Sequence, residues 1–237
     1  MRLKFRINYH TVWGQNMYVL GSCKELGGDN STQAFPLNYT ENGNWEGSIE
    51  IDTKSTKKIS YKYLIKNGSE ENIHLEWGTR RLLELSKNYS HLILEDVWRP
   101  NKDIENALLS QAFAGNLFGR KNPKAKKSSA GPNCRLQLIA PRIRNDQSFC
   151  VVGSSKTLGS WNPDKAVVMQ DKNFPVWQVD LKLNKNEQDF EYKYGIYDHE
   201  KKKLVEWELG ENRCLKNRDD ENNQFFIKTD LKFRYPF

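Results

Sequence analysis

The 237-residue sequence predicts an all-β chain, two antiparallel immunoglobulin-like β-sandwich domains joined by a partly helical linker. Three observations predict it: an internal repeat of about half the chain, period-2 alternation of apolar residues within each copy, and turn-forming clusters between the alternating runs.

The repeat organises everything else. Val19-Leu20-Gly21-Ser22 with Leu26-Gly27 recurs as Val151-Val152-Gly153-Ser154 with Leu158-Gly159, and Trp45 recurs as Trp177. Tyr61-Lys62-Tyr63 recurs as Tyr192-Lys193-Tyr194, and Glu76-Trp77 is matched with Glu206-Trp207. Four anchors in the same order imply a duplicated domain.

Within the copies Leu3, Phe5, Ile7 and Tyr9 alternate, as do Trp45, Gly47, Ile49 and Ile51, and Trp177, Val179, Leu181 and Leu183. Each series places one apolar face on a strand. Polar turn clusters such as Tyr39 to Asn44 and Trp161-Asn162-Pro163-Asp164 separate the runs. Six to eight short strands in about 100 residues make a sandwich. One helical stretch, Asp103 to Phe113, lies between the copies and runs into a basic Pro/Ser/Gly segment ending near Pro132. The domains are therefore placed at 1–99 and 133–233, with a helix plus basic linker at 100–132 and residues 234–237 as the start of a missing C-terminal domain.

Composition narrows the function classes. The chain is 37% hydrophobic and 12% aromatic with seven Trp, which fits globular domains carrying some of their rings at the surface. The longest apolar runs, such as Leu136 to Ala140, are too short to span a bilayer, and Met1 to Phe5 enter a strand pattern directly rather than a signal core. A cytoplasmic location with no membrane partner is the expectation. The net charge is +7, but five positive residues fall in the segment Arg120 to Lys127, so a solvated linker outweighs a nucleic-acid patch. Cys23, Cys134, Cys150 and Cys214 are far apart and read as reduced thiols rather than a zinc set or disulfide framework.

No enzyme centre can be nominated. Retaining glycosyl transfer needs two carboxylates about 5 Å apart in a sugar cleft. Glu206 and Glu208 share a strand face around Trp207, but their polar setting suits hydrogen bonding or solvation. The four histidines are scattered, and there is no glycine-rich phosphate loop. The chain is therefore expected to carry no catalytic residue, no cofactor and no metal.

Sugar binding, by contrast, has its chemistry in the second copy. A pyranose presents apolar C–H faces and a hydroxyl rim, so its binder needs exposed flat aromatics beside hydrogen-bonding side chains. Trp161 lies in a polar turn, where exposure is the better expectation, and Trp207 has Glu206, Glu208, Asn212 and Arg213 around it. Trp177 sits on an apolar strand face and is expected in the core. Trp207 is open between surface and core on pattern alone. Lys193 points opposite to Tyr192 and Tyr194, either as a ligand or as a solubilising lysine.

These residues resemble the starch-binding domain of carbohydrate-binding module family 20. Its pattern is a Val-x-Gly-Ser strand end, Leu-Gly-x-Trp, a Trp at a strand start, Tyr-Lys-Tyr, and Trp-Glu-x-Gly-x-Asn-Arg. The second copy matches in Val152-Gly153-Ser154, Leu158-Gly159-Ser160-Trp161, Trp177, Tyr192-Lys193-Tyr194 and Trp207 to Arg213. The resemblance implies a glucan site with Trp161 and Trp207 as stacking platforms and Lys193, Glu208 and Asn212 as hydrogen-bonding partners. It also implies a second site near the turn before the strand Trp, where a Tyr usually sits. In the second copy only Phe174 stands there. In the first copy Gly28-Asp29 follows Leu26-Gly27, so a platform is missing, and Lys62 and Trp77, with Trp13 as a helping ring, are what remains of the site.

Two such modules in tandem, with the Asn8 to Gln15 stretch and the bridging Asp96-Val97-Trp98-Arg99 and Ala112 to Arg120 segments, are similar to the start of cytosolic disproportionating 4-α-glucanotransferases. Members of that family continue into a glycoside hydrolase family 77 barrel. The resemblance implies two partners: an α-glucan polysaccharide such as starch, glycogen or a maltooligosaccharide, and a C-terminal catalytic domain of the same polypeptide. The modules would target that transferase to polymer. The alternative is a structural or oligomerisation role, and a homodimer is compatible with either.

Overall fold

A computed structural model of the chain describes residues 1–68, 73–101, 131–184, 187, 189–216 and 223–236. The helix expected at Asp103 to Phe113 and the basic segment after it lie outside the described residues. Contacts divide the chain into two compact units, Met1–Phe113 with Glu221–Ile227, and Ala114–Asp220 with Lys228–Phe237.

The first unit contains β1 (Arg2–Asn8), β2 (Gln15–Gly21), β3 (Phe35–Pro36), β4 (Asn38–Tyr39), β5 (Asn44–Glu50), β6 (Lys58–Asn67), β7 (Ile73–Leu75), β8 (Arg81–Glu84) and β9 (His91–Val97). One sheet runs β4-β5-β1-β9; the other runs β3-β2-β6-β7, with β8 also paired to β6. Apolar alternation drives the packing. Leu3, Phe5 and Ile7 of β1 face Met17 and Val19 of β2 and Tyr61 and Tyr63 of β6 in a core where every one of these side chains is buried. The pairing departs from the expected antiparallel arrangement where β1 and β9 run parallel, from Arg2 opposite His91 to Asn8 opposite Val97. The two strands are far apart in sequence, so no hairpin constrains their relative direction.

The second unit repeats the plan with β10 (Cys134–Ile139), β11 (Gln147–Gly153), β12 (Val167–Val168), β13 (Gln170–Asn173), β14 (Val176–Leu181), β15 (Asp189–Asp198), β16 (Lys203–Trp207) and β17 (Arg213–Lys216), and takes the residues from Lys228 onward of a final strand, β18 (Gln224–Leu231), whose earlier residues belong to the first unit. β13, β14 and β10 are hydrogen-bonded neighbours, and the other sheet runs β12-β11-β15-β16 with β17 on β15. Trp177 is 0% exposed, as its alternation with Val179 and Leu181 predicts, and its indole donates to the Ala140 carbonyl at 3.0 Å. Trp45 donates likewise to Tyr9 at 3.2 Å. The cysteines are all free, and burial pushes the Cys150 thiol up to about 12.

The recurring Gly-Ser has a steric reason. A Cβ on Gly153 would stand 2.4 Å from the Glu191 carbonyl oxygen, and one on Gly21 would stand 2.7 Å from Leu26 Cδ1. Only glycine lets the ends of β11 and β2 pass this close to their neighbours.

Candidate functional site

In the second unit the expected residues converge on the middle of β15. Tyr192 and Tyr194 point inward and are fully buried, so Lys193 and Gly195 share the outer face. Trp207 lies directly opposite Gly195 across the β15–β16 ladder, which puts its indole on that outer face too. On the other side of β15, Gly153 pairs with Tyr192, and the Trp161 amide donates to the Gly153 carbonyl at 2.8 Å. Asn212 immediately precedes β17, whose Arg213 also pairs with Tyr192, and its side chain donates to Glu191 at 2.8 Å. Trp161, Lys193, Trp207 and Asn212 thus arrive from four segments around residues 191–195.

The Trp161 turn is built by its sequence. A 3-10 turn, Lys156–Leu158, is capped by the Ser155 hydroxyl and ended by left-handed Gly159. Ser160 and Trp161 then also adopt positive φ, 51° and 65°, an uncommon conformation for non-glycine residues. Asn162 caps the following turn by accepting from the Asp164 amide. The indole is left 36% exposed.

Glu208 requires a correction. It is 1% exposed and faces away from the outer side of β15 that carries Lys193 and Trp207. Because Trp207 faces outward, the next residue of the extended chain must face inward. There its carboxylate accepts from the Tyr194 amide at 3.0 Å and from Arg213 and Arg234. Burial alone would raise this carboxyl, but the bonds from Arg213 and Arg234 outweigh it and hold it below the usual carboxylate range. Asp230 completes the cluster, accepting from Tyr192 at 2.6 Å and pairing with Arg213 at 3.1 Å. Arg234 also donates to the Glu211 carbonyl, and its own carbonyl accepts from Leu209. The turn carrying Trp207 and Asn212 is therefore fastened to 232–234, the stretch where the module was expected to end.

The first unit has the same frame with other residues on it. The Glu76 amide donates to Tyr63, and the Glu76 carboxylate accepts from the Tyr63 amide, Arg81 and Arg99. Asp96 takes the place of Asp230, bonded to Tyr61, Tyr63 and Arg81. This fixes the register between the repeats: Glu76 corresponds to Glu208, not to Glu206. Leu75, paired with Leu64, holds the position of Trp207, and Trp77 that of Leu209. Asp29 holds the position of Trp161: its φ is 69° and its amide donates to Gly21 at 2.9 Å. Arg80, at the position of Asn212, is ion-paired to Asp29. Lys62 stands on the outer face where Lys193 stands in the second unit, and burial lowers its ammonium pKa.

Trp77 is nevertheless 43% exposed. It lines a cavity of about 980 Å³ with Lys62, His74, Thr79, Trp98 and Asn101 among its walls.

Phe174 is half-buried, with its ring edge-on to Trp177 at 6.3 Å. The corresponding place in the first unit is better furnished. Tyr39, in the turn before Trp45, is exposed and edge-on to Trp45 at 5.3 Å. The turn 39–44 is hydrogen-bonded to the 9–14 loop through Tyr9 and Gly43, and that loop carries Trp13, 101% exposed. The rule of a Tyr before the strand Trp would have found Tyr39 had it been applied to the first copy.

A starch binding domain family model matches residues 1–92 and 133–225. The 4-alpha-glucanotransferase DPE2 of Oryza sativa subsp. japonica is 27% identical over 209 residues, covering 81% of this chain and 22% of that protein. Glucoamylase P of Amorphotheca resinae is 28% identical over 100 residues, covering 40% of this chain and 16% of that protein. Among solved structures, Hormoconis resinae glucoamylase aligns over 43% of this chain and 18% of its own with 26% identity and a TM-score of 0.37. The family 20 module of the maltotetraose-forming amylase from Pseudomonas saccharophila STB07 aligns over 41% of this chain and 98% of its own, with 20% identity and a TM-score of 0.34. The chain spans less than a quarter of the length of the curated relatives it matches. With a family match over both repeats, the chain belongs to the starch-binding domain family, carbohydrate-binding module family 20.

Proposed function

We propose that this chain binds α-1,4-glucan without catalysis and serves to hold an attached 4-α-glucanotransferase on starch, glycogen or maltooligosaccharide. The observation that carries the reading is the convergence of Trp161, Lys193, Trp207 and Asn212 on the outer face of β15. Trp161 and Trp207 stack against successive glucose faces, while Lys193 and Asn212 bond the hydroxyl rim. Glu208 contributes from beneath by fixing the turn. Tyr39 and Trp13 of the first unit offer a second aromatic platform, which tethers the chain to polymer through more than one contact. The transferase assignment rests on the likeness to the rice enzyme, and the cytoplasmic location expected from the sequence goes with it.

Electrophoresis in gels containing amylopectin tests this. Retardation of the chain, reduced by Trp161→Ala with Trp207→Ala, supports it; equal mobility with and without polymer rejects it.

A further inference from the structure

The register between the repeats shows that the first unit lost the outer-face site residue by residue. Leu75 replaces the Trp207 indole, Asp29 replaces Trp161, and the Asp29–Arg80 ion pair occupies the ground where Trp161 and Asn212 stand in the second unit. A tryptophan reappears two positions further on, at 77. Its surroundings differ from those of Leu209, its counterpart: Trp77 borders a concavity of about 980 Å³, a size suited to a small ligand.

We propose that the first unit carries a relocated α-glucan site in this cavity, taking a short linear maltooligosaccharide against the Trp77 indole. This rests on the starch-binding function proposed above and assigns its first-unit site to a new place. Trp77 is held rigidly for the task. Its amide donates to the Arg99 carbonyl at 2.9 Å, and the Arg99 guanidinium donates to the Thr79 carbonyl at 2.8 Å while pairing with buried Glu76. The turn is clamped at both ends of Trp77, so little side-chain and loop entropy is lost on binding. Tyr9 and Trp98, which also line the cavity, form a ring pair with centroids 5.0 Å apart and add an apolar wall. Lys62, Thr79 and Asn101 supply donors and acceptors for hydroxyls. Apolar walls with a few convergent polar groups are what a sugar ring requires, and the one carboxylate in the lining, Glu76, is already paired with Arg81 and Arg99.

The test uses the full chain and maltotriose, followed by titration calorimetry. Trp161→Ala with Trp207→Ala removes the second-unit site, and Trp13→Ala with Tyr39→Ala removes the other aromatic platform of the first unit; the quadruple variant is expected to retain residual maltotriose binding. Adding Trp77→Ala is expected to weaken that residual binding at least tenfold, while Trp77→Tyr retains most of it. Circular dichroism checks that each variant is folded. Loss of all binding in the quadruple variant, or residual binding indifferent to Trp77→Ala, overturns this site alone. Absence of maltotriose binding in the unmodified chain overturns both the site and the function on which it rests.

Discussion

Asp29 and Trp161 occupy the same place in the two repeats: each has a positive φ, 69° and 65°, and each amide donates to the glycine that ends the preceding long strand. The backbone of the turn is thus the same in both units, and its side chains differ.

That identity allows the outer-face residues of the second unit to be built onto the first. Asp29→Trp, Leu75→Trp and Arg80→Asn together should give the first unit two platforms beside Lys62. In the Trp161→Ala, Trp207→Ala background the triple change is expected to raise affinity for maltoheptaose at least tenfold by calorimetry. Unchanged affinity would show that Leu64, where the second unit has Gly195, also blocks the face.

Exposed and buried tryptophans should separate cleanly. Trp177→Ala removes a fully buried indole and strands the Ala140 carbonyl, at a cost of about 3–5 kcal/mol. Trp161→Ala should cost less than about 1 kcal/mol in stability while binding weakens. Urea unfolding followed beside glucan titration checks both.

The fastening of the Trp207 turn predicts a mixed phenotype for Glu208. Glu208→Ala leaves the Arg213 and Arg234 guanidiniums without their shared carboxylate and should destabilise the second unit by roughly 3 kcal/mol. Glucan affinity falls as well, because Trp207 and Asn212 ride on the loosened turn. A variant that binds normally despite lost stability would show that the turn holds itself.

Acid should act through the buried carboxylates. Burial would raise Glu76, but Arg81 and Arg99 hold it at about 2, well below its ordinary 4.5. A depressed native pKa gives stability that is present above the unfolded value and lost as pH falls. Thermal unfolding temperature should therefore decline between about pH 4.5 and 2. Glu76→Gln should lower it at neutral pH and flatten its pH dependence.

The strands and the duplication were legible because period-2 alternation and glycine sterics act locally: Leu3, Phe5, Ile7, Trp45 and Trp177 are buried where their patterns put them. Lys193 and the exposed Trp161 turn were legible for the same reason. The register of the closing turn was not. Matching Glu76-Trp77 with Glu206-Trp207 by identity slips the alignment by two residues, which leaves the strand face unchanged and so gives no warning in the pattern. The ladder partners, Leu64 with Leu75 and Gly195 with Trp207, and the bonds of Glu76 to Tyr63 and Glu208 to Tyr194 separate the two registers. The burial of Glu208 was not legible because, besides nearby Arg213, its partners Tyr194 and Arg234 come from other segments.

The most direct measurement of the central claim is titration of maltoheptaose into the chain and its Trp161→Ala, Trp207→Ala variant. Saturable binding that weakens at least tenfold, about 1.4 kcal/mol, in the folded variant is the expected result. Equal affinity of the two proteins, or no binding by the unmodified chain, would contradict it.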